Sequence, residues 1–289
     1  MSESAVLVAG SVHIDRMVQV TRLPVAGETV IATGSWLQLG GKAANQAMAC
    51  ASLTHTTLAA CVGNDDNARH AKSTLVDAGV HCELQVSGTL PTGSSVALLD
   101  GSGENVGVVL PGANDDFQAE VVSTCGAGLP TLLVCQWETA APALHTLLAW
   151  ARTQGVPTLI NAAPWHNDPA YRDTLRLADH VVVNAVEAQS WTGMDPQRRS
   201  PHLPFGHPSV VVTLGAGGAL HYVNGMLITD LVAPLVRARS THGAGDHFVG
   251  VLAAQMALGQ AVTDALRRAI ESAAQFVVLL RKHPSKTLP

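Results

Sequence analysis

Val181-Val182-Val183-Asn184-Ala185-Val186-Glu187-Ala188-Gln189-Ser190-Trp191 is the stretch whose reading decides the fold. Three consecutive valines closed by an asparagine describe a short strand buried on both faces, since β-branched side chains suit a pleated surface and nothing in the run needs water. The residues from 185 to 191 then read as a helix, so Asn184 and Glu187 fall immediately after a strand. Working outward, strand-like runs at 132–135, 158–161 and 210–214 alternate with helical runs at 140–153 and 169–177. Alternation of this kind predicts a mainly parallel sheet covered by helices on both faces. Ligands of such sheets bind beyond the carboxyl ends of the strands. Asn184 and Glu187 stand at one such end and Thr213-Leu-Gly-Ala-Gly-Gly218 at another, which suits phosphates and a metal.

The first half is less regular. Residues 5–9 and 58–62 read as buried strands and 67–78 as a helix stopped by Gly79. More polar, alternating segments at 12–20 and 28–32, and a hairpin of 94–100 with 104–110 around Gly101-Ser-Gly103, predict strands exposed on one side. Gly40-Gly41-Lys42-Ala43-Ala44-Asn45 opens a helix of small residues. Its glycines let backbone approach a polar ligand while Lys42 and Asn45 reach it; a tight turn into a packed helix explains the same residues equally well. Residues 195–207, rich in Pro and Arg, read as an irregular connection.

Ser240-Thr-His-Gly-Ala-Gly-Asp-His-Phe-Val-Gly250 carries the chemistry. Phe248, Leu252 and Met256 recur every fourth residue, one face of a helix that Gly259 stops, so Gly243 and Gly245 sit where that helix begins. Unpaired first-turn amides and the positive end of the helix dipole make an anion site there. Asp246 would repel a phosphate that was merely stored; its presence makes sense if it takes a proton from a hydroxyl attacking phosphorus. An ordinary glycine-rich turn with an Asp near a helix start is the plainer alternative.

Composition bounds the rest. With 289 residues, 47% hydrophobic and 13% charged, the chain can bury a large core in one domain. No uncharged apolar run of about 18 residues appears, which argues against a membrane span. A net charge of −5 without basic clusters argues against nucleic acid as the partner. Cys50, Cys61, Cys82, Cys125 and Cys135 are scattered, lack a CxxC pair and read as reduced thiols of a cytoplasmic protein. There is no GxxxxGK[ST], and Gly215-Ala-Gly217 lacks the third glycine of a dinucleotide fingerprint.

Together, Gly40-Gly-Lys-Ala-Ala-Asn-Gln46, Asn184-Ala-Val-Glu187, Thr213–218 and Gly243-Ala-Gly-Asp246, in this order, resemble the ribokinase-type (phosphofructokinase-B) carbohydrate kinase family over essentially the whole chain. The resemblance implies a doubly wound α/β domain over 1–289 with a small β lid from about 12–38 and 94–110. It implies transfer of the ATP γ-phosphoryl to a hydroxyl of a free sugar, most simply a pentose such as ribose. Asp246 then matches the general base, and Gly243, Ala244 and Gly245 the anion hole. His13, Asp15, Gly41, Lys42, Asn45 and Glu138 match sugar-holding positions. Asn184, Thr213, Gly215, Gly218, Gly245 and Ser272 match the nucleotide site, and Asn184 with Glu187 would hold Mg²⁺, partly through water. The family also allows a homodimer through the lid and activation by a monovalent cation such as K⁺ at position 240.

Three residues depart from the family pattern. His13 replaces an Asn of the sugar clamp, Ser240 replaces an Asp tied to potassium, with Thr287 as a remaining oxygen, and Ser272 replaces an Asn near the adenine. Kinases of a ketohexose, deoxy sugar or nucleoside, and a sugar-binding regulator without catalysis, are the competing readings. Few aromatics (4%) weigh against a nucleobase substrate.

Overall fold

The computed structural model describes residues 6–101, 105–120, 122 and 128–279. Nine strands form the main sheet. They are β1 (Val6–Ala9), β4 (Thr56–Val62), β5 (His81–Val86), β8 (Leu132–Gln136), β9 (Thr158–Asn161), β10 (His180–Asn184), β11 (Ser209–Thr213), β12 (Ala219–Val223) and β13 (Met226–Leu231). Their order is β13-β12-β11-β10-β9-β8-β1-β4-β5. All pairings from β11 to β5 are parallel, whereas β12 and β13 add an antiparallel edge. β1 lies between β4 and β8, so the chain winds outward in both directions from it. The crevice beyond the carboxyl ends of β1 and β8 is therefore the topological switch point.

Helices cover both faces because the strands are apolar on both. α1 (Lys42–Ala51), α2 (Asp66–Asp77), α6 (Ala244–Ala257) and α7 (Val262–Leu279) bury Ala47, Leu75, Leu252 and Leu266 against one face with Val8, Leu58 and Val134. α3 (Ala141–Gln154), α4 (Pro169–Leu175) and α5 (Ala185–Thr192) cover the other, where Leu144, Leu148 and Ala188 meet Leu133, Ile160 and Val183. The expected doubly wound arrangement is present. Among the described residues no helix is long and apolar enough to cross a membrane.

A separate four-stranded sheet has the order β3-β2-β6-β7, built from β2 (His13–Gln19), β3 (Gly34–Gly40), β6 (Gly93–Leu99) and β7 (Asn105–Leu110). The segment 28–32, expected as a strand, has no strand geometry; it follows a turn in which Glu28 N–H donates to Val25 O and its carboxylate pairs with Arg22. The partner of β2 is instead 34–40, whose flanking glycines hide its strand character. β5, β12 and β13 were not anticipated either. Glu104, Ser102 and Gly103 of the expected hairpin lie outside the described residues, as does Cys125. Cys50, Cys61 and Cys135 are buried free thiols, and burial pushes the Cys50 thiol up to about 12.

Candidate active site

α6 begins at Gly243, whose left-handed backbone (φ 72°) turns the chain into the helix. A Cβ added at Gly243 would touch only the Phe276 ring, 3.9 Å away, and one added at Gly245 would meet nothing within 4 Å. Packing does not demand glycine at 245; the space over it is simply left open. The Ala244 amide donates to Thr241 O at 3.2 Å, so half of the expected anion-hole pair is held by the preceding turn.

Asp246 is partly buried and has a donor on each oxygen: Asn45 Nδ2 on Oδ2 (3.1 Å) and Gln46 Nε2 on Oδ1 (3.2 Å). Gln46 also donates to Asn161 Oδ1 (3.1 Å) and accepts from Gln136 Nε2 (2.7 Å); Asn161 Nδ2 donates to Val182 O (3.2 Å). Burial pushes the Asp246 carboxyl above its ordinary range, and Lys42, Asn45 and Gln46 only partly oppose this. Burial alone would lower the Lys42 ammonium, but the carboxylates of Asp246, Glu138 and Glu187 together raise it. These four charges therefore occupy one electrostatic neighbourhood.

The switch point is bridged by side chains. From beyond β8, Glu138 Oε2 accepts from Ser11 Oγ (2.5 Å), just past β1, and from the Lys42 amide (2.9 Å) at the start of α1. Glu138 thus caps α1 as well as standing at a sugar-matching position. Gly41 (φ 90°) admits this approach, since a Cβ there would lie 2.7 Å from Ser11 O.

In the small sheet, Asp15 is buried and accepts from Ser95 Oγ at 2.6 Å. His13 is 3% exposed, which excludes a residue facing water, and its Nε2 has no hydrogen-bond partner. An unmatched buried polar atom costs roughly 1–3 kcal/mol. Asn114, fully buried, grips Val12 by both backbone groups (2.9 and 3.1 Å) where the chain passes from β1 to β2.

Asn184 and Glu187 form a capping box on α5: Glu187 N–H donates to Asn184 Oδ1 (2.9 Å) and Asn184 N–H to Glu187 Oε2 (2.7 Å). One oxygen of each is thereby spent on the helix. Glu187 is buried, and burial raises its carboxyl despite the Asn184 amide and Lys42. Asn184 pairs in register with Thr213 across β10 and β11. Beyond Thr213, Gly215 (φ 57°) has open space, whereas Gly218 is fixed by packing: a Cβ would fall 1.9 Å from Leu231 O. Arg199 holds this loop, donating to Gly217 O (2.8 Å) and pairing with Asp230. Ser272 Oγ meets His247 Nε2 at 2.9 Å, with His247 stacked on Phe276 (4.3 Å, 14°). Ser240 is exposed and accepts from the His242 amide (3.2 Å), while Thr287 lies outside the described residues.

Sequence reasoning missed Gln136, Asn161, Asn114, His247 and Arg199. Only Asn161 and Gln136, polar residues closing apolar strands, left a trace in the chain.

Residues 3–280 match the model of the pfkB family carbohydrate kinases. A ribokinase from Mus musculus is 31% identical over 268 residues, covering 88% of this chain and 82% of its own length. One from Dictyostelium discoideum is 26% identical, covering 99% and 97%. The structure of Arabidopsis thaliana ribokinase complexed with ribose and ATP superposes with a TM-score of 0.81 at 26% identity, covering 96% of this chain and 93% of that one. With a glycine-flanked carboxylate at a helix start, beyond the switch point of a doubly wound sheet, the chain belongs to the pfkB family and is an ATP-dependent carbohydrate kinase.

Proposed function

We propose that this kinase phosphorylates a free pentose, ribose before others, with Asp246 as general base. The observation that carries the reading is Asp246 itself: it stands at the start of α6 beside the open face of Gly245, with both oxygens held by amide donors. A sugar hydroxyl would give its proton to the Asp246 carboxylate as the new O–P bond forms and the bond to the leaving diphosphate breaks. Such a transfer needs mainly positioning and neutralisation of charge. The Gly245 amide and the Ala244 amide, once released from Thr241, face the transferred phosphoryl; Lys42 supplies positive charge. Asp15, Asn45, Gly41, Glu138 and His13 surround the sugar, and the small sheet acts as a lid on a single kinase unit. Thr213, Gly215 and Gly218 line the nucleotide site with Ser272.

Among the described residues no group of three or more His, Cys, Asp or Glu could cage a metal. The residues do fit Mg²⁺ carried largely by phosphates and water, with Asn184 and Glu187 acting through water, because buried Glu187 keeps a carboxylate that a cation would hold ionised. When bound, the ion neutralises phosphate charge. Ser240 offers a monovalent cation no carboxylate, so we expect weaker potassium activation than in a ribokinase with Asp at this position; a steep, potassium-specific activation would refute this. The exposed Leu37, Val96, Val106, Val108 and Leu110 of the small sheet suit a homodimer, which sedimentation would reveal. The buried thiols suit the reducing cytoplasm.

Asp246→Asn tests the reading. It keeps the shape and an acceptor for one of the two amide donors but cannot accept the proton, and losing a general base costs about 10²–10⁴-fold. Calorimetry should find ATP and ribose binding within about tenfold of wild type, while a coupled ADP assay finds kcat at least roughly 100-fold lower. Near-normal kcat would sink the mechanism; turnover of another sugar in preference to ribose would redirect the substrate.

A further inference from the structure

Beneath Asp246 lies a chain of amides with a single direction. Its first fixed end is Val182 O, an acceptor, which receives Asn161 Nδ2 (3.2 Å) and so turns Asn161 Oδ1 toward Gln46. Its other fixed end is the Asp246 carboxylate, also an acceptor. Gln46 Nε2 has two hydrogens and two acceptors, Asn161 Oδ1 and Asp246 Oδ1, so both are used. Gln46 Oε1 must then face the other way, where Gln136 Nε2 donates to it at 2.7 Å. Reversing Gln46 would set its oxygen against two acceptors and its NH₂ against that of Gln136. Gln46 and Gln136 are completely buried and Asn161 is 7% exposed, so water does not compete for these groups.

Gln136 is retained at a cost. Its Oε1 has no partner, and Gly10 keeps the space beside it clear, since a Cβ there would fall 2.1 Å from that oxygen. An apolar side chain would suit the core between β1 and β9 better. What the amide supplies is the donor that locks Gln46.

We propose that Gln136 and Asn161 are positioning residues for phosphoryl transfer, acting through Gln46 to hold Asp246 as an oriented carboxylate. The inference rests on Asp246 being the general base. N–H donors on both oxygens favour the anion over the acid, whose O–H would face a donor. They also fix the rotation of the carboxylate, so the hydroxyl meets the same lone pair in every turnover. Without the Gln136 donor, Gln46 Oε1 goes unmatched in the orientation that serves Asp246, so the amide is held less firmly and its donor to Asp246 Oδ1 weakens, which favours the protonated form.

Gln136→Leu removes the lock together with the unmatched oxygen. The expected result is a melting temperature close to wild type, since Gln46 Oε1 loses its donor as the unmatched oxygen of Gln136 is removed, and KM values for ATP and sugar within about twofold. In the same variant kcat should be lower by about tenfold, and the acid limb of kcat/KM should move to higher pH by about half a unit or more. In an Asp246→Asn background the same substitution should cost the residual kcat nothing further, since the group it acts on is gone. An equal loss in both backgrounds would mark Gln136 as merely structural and overturn the proposal, as would an unmoved acid limb with kcat within twofold of wild type. If Gln136→Leu fails to fold, Asn161→Ala, which strips the second acceptor from Gln46, must give the same pattern in kcat, KM and acid limb, at a lower melting temperature. Asp246→Asn alone reports on the base assignment, so its failure and that of the relay are read separately.

Discussion

The two ends of the parallel sheet both collect polar side chains, and they treat them differently. At the amino end, Ser209 Oγ lies between His180 Nδ1 (2.9 Å) and His221 Nε2 (2.8 Å), while His207 accepts from the Ser209 amide at Nδ1 (3.1 Å) and meets Ala178 O through Nε2 (3.0 Å). Asp179 accepts from both the amide and the hydroxyl of Thr158. A cleft of about 600 Å³ opens beside these groups, between 152–158 and 176–180. At the carboxyl end, by contrast, Asp246, Glu138 and Glu187 crowd one lysine, Gly245 leaves empty space, and His13 Nε2 and Gln136 Oε1 go unmatched. Matched polar groups serve the fold; surplus charge beside open space suits a partner the chain does not supply. A concavity alone does not make the distinction.

The sharpest way to break that contrast is Gly245→Ala. Alanine in a helix is favoured over glycine by about 0.5–1 kcal/mol, and here the new methyl has room, so the protein should melt slightly higher. Its kcat should nevertheless fall by about tenfold or more, because the methyl takes the space left for the phosphoryl group. Unchanged turnover would mean that the space is unused.

The amino end should respond to acid in stability rather than in turnover. Burial, aided by neighbouring His180, lowers the His221 imidazole from 6.5 to about 4, and burial lowers His180 as well. Between those values the unfolded chain binds more protons than the folded one, so stability falls as pH falls from 6.5 toward 4 and is fully present above it. For His221 the loss is about 1–3 kcal/mol. His221→Phe should flatten that slope in urea titrations and leave kcat at neutral pH within about twofold. A slope that persists would place the acid sensitivity elsewhere.

The smallest effect expected is at His13, where the unmatched nitrogen adjoins the sugar-matching residues. His13→Asn should raise kcat/KM for ribose by about threefold or more relative to that for other pentoses. An unaltered ranking across a sugar panel would return His13 to the core as packing.

What could be read from the chain follows the same division. Continuous apolar strands and helical faces are local patterns, and they yielded the alternating α/β order from 132 to 214 almost residue by residue. The glycines ahead of Asp246 were legible because a helix start has its own backbone chemistry. β3 was not, because Gly34-Ser-Trp-Leu-Gln-Leu-Gly40 is a strand only by virtue of its pairing with β2. β12 and β13 were hidden behind the glycines of 215–218, whose positive φ values at Gly215 and Gly218 serve the turn into an antiparallel hairpin. The Gln136–Gln46–Asn161 chain joins residues 90 and 115 positions apart, and no local pattern could announce it. Asn184 and Glu187 were read as ligands of a metal; their capping box shows that the same spacing also serves the helix.

Gly40 and Asp15 set an order on the changes this chain can tolerate. A Cβ at position 40 would lie 2.0 Å from Asp15 Oδ2 and 2.4 Å from its Cγ, and Ser95 holds that short side chain where it is. While Asp15 stays in this position, any side chain at 40 meets its carboxylate and must displace it. If a descendant first loses Asp15 to a smaller residue, position 40 becomes free to drift, and once it carries a side chain the carboxylate cannot be restored in one step. The pair works as a ratchet. If Asp15 binds the sugar as proposed above, that recognition is easily lost along a lineage and hard to recover, so a relative with a larger residue at 40 is expected to hold its substrate by other means.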